Sequence, residues 1–139
     1  MEYAPPEYPA AADFEVTRSL ADAAKLLGYR YHVGVVQNKD SFYGQHSPSS
    51  MPVFRMLDEK WEAWKKLGVL ASEMESAALF TVAAARGVRC GTVLHVIWNQ
   101  ERKLQGLDPS DDMDDDSHKS IRCAIEAMKL LIEADKKNS

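Results

Sequence analysis

The chain has 139 residues, 45% of them hydrophobic and 27% charged, enough for one soluble domain with a real core. A formal net charge of -4 argues against the basic face of a nucleic-acid binder. No apolar run approaches the ~20 residues that span a membrane. The opening Met1-Glu2-Tyr3-Ala4-Pro5-Pro6 has neither a basic n-region nor an apolar h-region, so the expected location is cytoplasmic. Cys90 and Cys123 lie far apart and lack metal-ligand spacing. Reduced, buried thiols are expected, with a structural disulfide the lesser alternative.

Residues 1–11 read as an irregular lead-in rich in Pro and Ala. Asp13 to Gly28 reads as a helix. Asp13 can cap it, Phe14, Leu20, Ala24 and Leu27 fall on one stripe, and Gly28 ends it. Tyr31 to Gln37 reads as a strand, dense in β-branched and aromatic residues. Asn38 to Pro52 is polar and rich in Ser, Gly and Pro, and reads as a long loop. Asp58 to Leu67 predicts a short helix with Trp61 and Trp64 on one face.

Val69-Leu70-Ala71 predicts a short buried strand. Glu73 to Arg86 follows as a helix that is apolar nearly all round, and such a helix is expected to be buried. Gly87 terminates it. Val88 to Trp98 predicts a long strand, and Asn99 to Arg102 a turn out of the sheet. Residues 105–116 read as an acidic loop, expected to be mobile. Ser117 to Lys136 reads as a last amphipathic helix, with Ile121, Ile125, Met128, Leu131 and Ile132 on its buried face. The order αβαβαβα implies a layered α/β domain with helices covering a sheet, and no internal repeat or second domain.

The most telling segment is Ser72-Glu73-Met74-Glu75-Ser76-Ala77, with two carboxylates where a strand turns into an apolar helix. Open α/β folds place ligands at the carboxyl ends of their strands. Ionised carboxylates only accept hydrogen bonds, which suits the hydroxyls of a ribose. The plainer reading is a capping box, with Ser72 and Glu75 satisfying the first amides of the helix. Phe42 and Tyr43 read equally as loop anchors, Trp61 and Trp64 as packing residues, and His95 as a satisfied core histidine. His46 reads as an exposed loop residue. The Asp111–Asp116 cluster lacks the calcium-loop pattern and reads as solvated.

Asp40-Ser41-Phe42-Tyr43-Gly44-Gln45, then Ser72-Glu73-Met74-Glu75-Ser76-Ala77, then Val96-Ile97-Trp98-Asn99 occur in this order and at plausible spacing. Together they resemble the C-terminal part of the nucleoside phosphorylase family. That family includes uridine phosphorylases, bacterial purine nucleoside phosphorylases and methylthioadenosine nucleosidases. The resemblance lies nearest the uridine branch and runs from about Pro5 to Ala134. It implies a layered α/β/α fold with a central mixed sheet. It also implies phosphorolysis of a nucleoside to free base and ribose 1-phosphate, with phosphate as co-substrate and no metal or organic cofactor. Relatives of this kind assemble as dimers grouped into rings, so self-association is implied, without nucleic-acid or membrane partners.

Position by position, the resemblance gives Glu75 the ribose 2′ and 3′ hydroxyls, Met74 the face of the sugar, and Glu73 the pocket lining. Phe42 matches the aromatic that packs on the base. Gln45 matches the amide that reads its edge, and Ile97 and Trp98 match an apolar wall. No catalytic acid or base is assigned. The pattern is departed from in three places. Asn99 stands where the purine branch has an aspartate that protonates the leaving base. Ser47 and Gln100 stand where uracil-reading arginines are found, with Arg102 or His46 as alternative readers. The Gly-rich phosphate loop of the family's first half is missing, and Arg18, Arg30, Arg55, Arg86 and Arg89 match none of its positions. The expectation is therefore the C-terminal half of such an enzyme, from a truncated or split gene. Two alternatives stand beside uridine phosphorolysis: a nucleoside-binding or structural remnant without turnover, and a purine nucleoside phosphorylase.

Overall fold

The computed structural model describes residues 3–110 and 116–138. It divides into two compact units, one of Met1–Val33 with Ala78–Ser139 and the other of Gly34–Ala77. Of the expected acidic loop at 105–116, residues 111–115 lie outside the described residues, and Asp116 pairs with Arg122.

The first unit is organised by helix α1 (Phe14–Leu26) and helix α6 (His118–Asn138). Asp13 caps α1, its side chain accepting the Val16 N–H at 3.0 Å. The helix stops at Gly28, whose φ of 69° is the left-handed conformation that glycine adopts without steric cost. The amides of Gly28 and Tyr29 then close back on Lys25 and Ala24, satisfying the last carbonyls.

α1 and α6 meet through small side chains: Ala23, Ala24, Cys123 and Ala127 are buried, with Leu20, Leu27, Tyr29, Val93 and Leu130 around them. Alanines at a crossing let two backbones approach closely, so specificity comes from fit more than from buried area. Burial pushes the Cys123 thiol above its ordinary value and keeps it inert. Both Cys123 and Cys90 are free.

The buried face of α6 is not the expected one. Cys123, Ala127 and Leu131 point inward. Ile121, Ile125, Met128 and Ile132 are 55%, 53%, 59% and 47% exposed. Of the expected stripe only Leu131 is buried. The long apolar side chains were the stronger signal in the sequence, but the small ones fit against α1. On α1, likewise, Phe14 is exposed while Ser19 and Ala23 are buried.

Residues 88–98 also differ from expectation. They form no ladder among the described residues, although Val88, Leu94, Val96, Ile97 and Trp98 give them strand composition. A strand needs a neighbour to exchange backbone hydrogen bonds, and composition cannot supply one. Gly91 runs so close to α1 that a Cβ would stand 2.6 Å from Val16 Cγ1. His95 Nε2 is buried without a hydrogen-bond partner among the described residues, against the expectation of a satisfied histidine. The expected turn at 99–102 is the start of a short helix, α5 (Gln100–Leu104).

The second unit holds a two-stranded parallel sheet of β1 (Val36–Asn38) and β2 (Ala71–Glu73). The register pairs Val36 with Ala71, Gln37 with Ser72 and Asn38 with Glu73. Both strands start later than the sequence implied: residues 31–35 and 69–70 lie outside them. The expected loop at 38–52 contains helix α2 (Phe42–His46), capped by Ser41, and a 3-10 turn at Pro48–Ser50. Helix α3 (Phe54–Lys66) begins earlier than the expected Asp58.

Helix α4 (Ser76–Ala85) starts in this unit and continues in the first. Phe80 and Ala83 are buried, but Leu79 and Val82 are exposed, so it is not buried all round as expected. The observed class is α/β with a small parallel sheet.

The two faces of α6 make opposite predictions. Ala127→Leu should cost about 1–3 kcal/mol of stability through overpacking against α1. Ile125→Gln should stay within about 0.5 kcal/mol, as an exposed change does. Urea unfolding of both variants measures this, and the reverse ranking would invert the assigned face.

Candidate functional site

In a parallel pair both carboxyl ends lie at the same edge of the sheet. The register ends on Asn38 opposite Glu73, so the chain leaving β1 and the chain leaving β2 start side by side. The first carries Lys39, Phe42 and Gln45; the second carries Met74 and Glu75. The Lys39 N–H donates to the Glu73 carbonyl at 2.9 Å and extends the pairing by one bond.

Glu73 builds the turn. One carboxylate oxygen accepts the N–H groups of Glu75 and Ser76, each at 2.7 Å. The other accepts Asn38 Nδ2 at 2.8 Å. The side chain is buried, and burial alone raises its pKa. The bonds from Ser76, Asn38 and Glu75 outweigh that and hold the carboxyl below its ordinary range. Glu73, not the expected Ser72–Glu75 box, therefore satisfies the first amides of α4.

Ser72 and Glu75 are released for other contacts. Ser72 Oγ donates to Gln45 Oε1 at 2.7 Å and accepts from Lys39 Nζ at 3.3 Å. The Glu75 side chain is exposed, with one oxygen accepting the Met74 N–H at 3.2 Å. Met74 is exposed beside it.

Phe42 is half exposed, and its ring stacks at a tilt on His46 with centroids 4.1 Å apart. Lys39 Nζ lies 5.8 Å from the Phe42 centroid, within cation–π reach. Burial lowers the Lys39 ammonium below its ordinary value, while Glu73 and Glu75 pull it back toward the charged form. The edge thus combines an open carboxylate, an amide of fixed contact, an aromatic face and a cation. Such a set can accept hydrogen bonds from hydroxyls and hold a planar ring.

Phe42, Gln45, Glu73, Met74 and Glu75 all belong to this unit. Ile97, Asn99 and Gln100 belong to the other. There Ile97 is exposed, and Asn99 caps α5, its Oδ1 accepting the N–H groups of Glu101 and Arg102 at 3.1 and 3.2 Å. Trp98 Nε1 donates to Gln100 Oε1 at 3.2 Å.

Asn38, Lys39 and the structural work of Glu73 were missed from sequence. Their position directly past a strand end was the available signal. A separate open depression of about 400 Å³ along α3, lined by Asp58, Glu59, Glu62, Ala63 and Lys66, holds none of these residues. Among the described residues no group of three His, Cys, Asp or Glu could hold a metal ion. No helix described is long and apolar enough to cross a membrane.

The sequence profile of the Phosphorylase superfamily matches residues 2–133. The chain belongs to the phosphorylase superfamily. Within that superfamily, the uridine phosphorylase of Treponema pallidum is 54% identical to it over 134 residues, 96% of this chain and 51% of the relative. The uridine phosphorylases of Escherichia coli and Salmonella typhimurium are each 38% identical over 135 residues, 95% of this chain and 53% of the relative. This member of the superfamily spans about half the length of the curated relatives it matches.

The depressed Glu73 carboxyl fixes the sign of a pH effect. Its stabilisation is present above its ordinary value of 4.5 and is lost as pH falls through the lower folded value. Glu73→Gln should cost about 1–3 kcal/mol at pH 7, since it removes charge from an acceptor of buried donors. The variant should also lose less stability than the wild type between pH 5 and pH 3. Denaturant titrations across that range check both effects.

Proposed function

We propose that this chain holds the sugar and base of a nucleoside, in an enzyme that cleaves uridine with phosphate to uracil and ribose 1-phosphate. The observation that carries the reading is the cluster at the carboxyl edge of the parallel pair, in a superfamily member whose relatives are named uridine phosphorylases. Glu75 is the open acceptor for ribose hydroxyls, with Met74 against the sugar. Phe42 takes the face of the base and Gln45 its edge. In this reaction a phosphate oxygen bonds to the anomeric carbon as the carbon–nitrogen bond breaks. The base departs with the electron pair and takes up a proton. These residues contribute positioning, which supplies much of the barrier reduction in such chemistry.

The phosphate site belongs, in this reading, to the half of the relatives' length that this chain does not match. The same half completes a three-layer α/β/α domain with a central mixed sheet. Its strands pair with residues 88–98, and its packing covers the exposed stripe of α6. Self-association is part of the same reading, through apolar faces that this chain leaves uncovered.

The chain's half-length relation to its relatives favours a second reading, nucleoside binding without turnover. Calorimetry with uridine, with and without phosphate, separates the two. Phosphate-dependent binding with release of uracil marks the enzyme, and phosphate-indifferent binding without release marks the binder. In both cases Glu75→Gln should weaken uridine binding by about 10- to 100-fold, the worth of hydrogen bonds to a charged acceptor. Unchanged affinity would remove Glu75 from the site.

A further inference from the structure

We propose that Lys39 is a positioning residue that sets which way the Gln45 amide faces, acting through the Ser72 hydroxyl. The proposal deepens the reading above and rests on Gln45 meeting the base.

The argument rests on donors, acceptors and the charge of the cation. A lysine ammonium only donates. Lys39 Nζ, 3.3 Å from Ser72 Oγ, therefore occupies a lone pair of that oxygen. The hydroxyl keeps one hydrogen and one lone pair, and a second donor on an oxygen already facing a cation is repelled, so the hydrogen is turned to Gln45 Oε1, 2.7 Å away. A hydroxyl that accepts from a cation is polarised and donates more strongly. The carbonyl end of the Gln45 amide is thus held on Ser72, and the NH2 end is turned the other way.

Shape does not make this choice, because the two ends of an amide have nearly the same size. Without the cation, Ser72 can turn its hydrogen elsewhere and accept from Gln45 Nε2 instead, which reverses the amide. Lys39 is itself held from several sides. Its backbone extends the strand pairing, its ammonium lies over Phe42, and Glu73 and Glu75 attract it.

The consequence is selectivity. With its NH2 group turned away from Ser72, Gln45 presents donors to an incoming base. Donors match an edge rich in carbonyl oxygens, such as that of uracil. Set against the exocyclic 4-position, they match the carbonyl of uracil and clash with the amino group of cytosine, where donor meets donor and neither is satisfied.

The test uses Lys39→Met, Lys39→Arg and Ser72→Ala with two readouts. The first is the side-chain NH2 signal pair of Gln45 in the ligand-free protein, measured by NMR and assigned by its loss in Gln45→Leu. The pair should shift in Lys39→Met and in Ser72→Ala, and return toward the wild-type position in Lys39→Arg. An unmoved pair in Lys39→Met would overturn the proposal. The second readout is the ratio of cytidine to uridine dissociation constants. Lys39→Met should shrink the preference for uridine by about fivefold, within the worth of one ordinary hydrogen bond. An undiminished preference also overturns it. If the wild type binds neither nucleoside, the functional reading of the isolated chain fails, and the NMR readout still decides the relay.

Discussion

The site depends on one carboxylate satisfying several donors at once. Glu73 takes the two amides that open α4 and the side chain of Asn38 on the neighbouring strand. A helix start leaves its first N–H groups without intrahelical partners, and a buried start cannot leave them to water. Glu73 meets that need and also ties β2 to β1. The negative charge belongs there for a second reason, since the amino end of a helix carries partial positive charge.

That arrangement divides labour between two glutamates two positions apart. Glu73 is buried and fully engaged, while Glu75 is exposed and lightly engaged. A carboxylate that already accepts several donors has little capacity for a ligand. The one beside it retains most of its own. The same separation frees Ser72 from capping and lets it join Lys39 to Gln45. Parallel pairing makes this possible, because it brings the residues that follow both strands to one edge.

Elsewhere the chain carries apolar surface without a counterpart among the described residues. The α6 stripe and the extended residues 88–98 have the composition of interior elements. A helix stripe or an unpaired segment gains nothing from being apolar in water. The half-length match to the curated relatives is consistent with that composition. In contrast, the contact between α1 and α6 is self-sufficient, because small side chains on both helices meet each other directly.

Much of the local structure was legible in the residues themselves. Asp13 and Gly28 marked the ends of α1, and the helical spans of α3, α4 and α6 were recognisable within a few residues. The segment around Met74 marked the strand-to-helix edge and the family. These features rest on short-range preferences: caps, left-handed glycines and apolar spacing. What the sequence left open was which face is buried, which strand finds a neighbour and which acid does which work. The residues pointed to Ile125 for the inside of α6, and the fit against α1 chose Ala127 instead. Residues 88–98 had strand composition and formed no ladder among the described residues. Glu73 and Glu75 were equivalent as letters until the register placed Asn38 opposite Glu73. Hydrogen-bond partners and buried faces are set by groups distant in sequence, and only the tertiary structure brings those groups together.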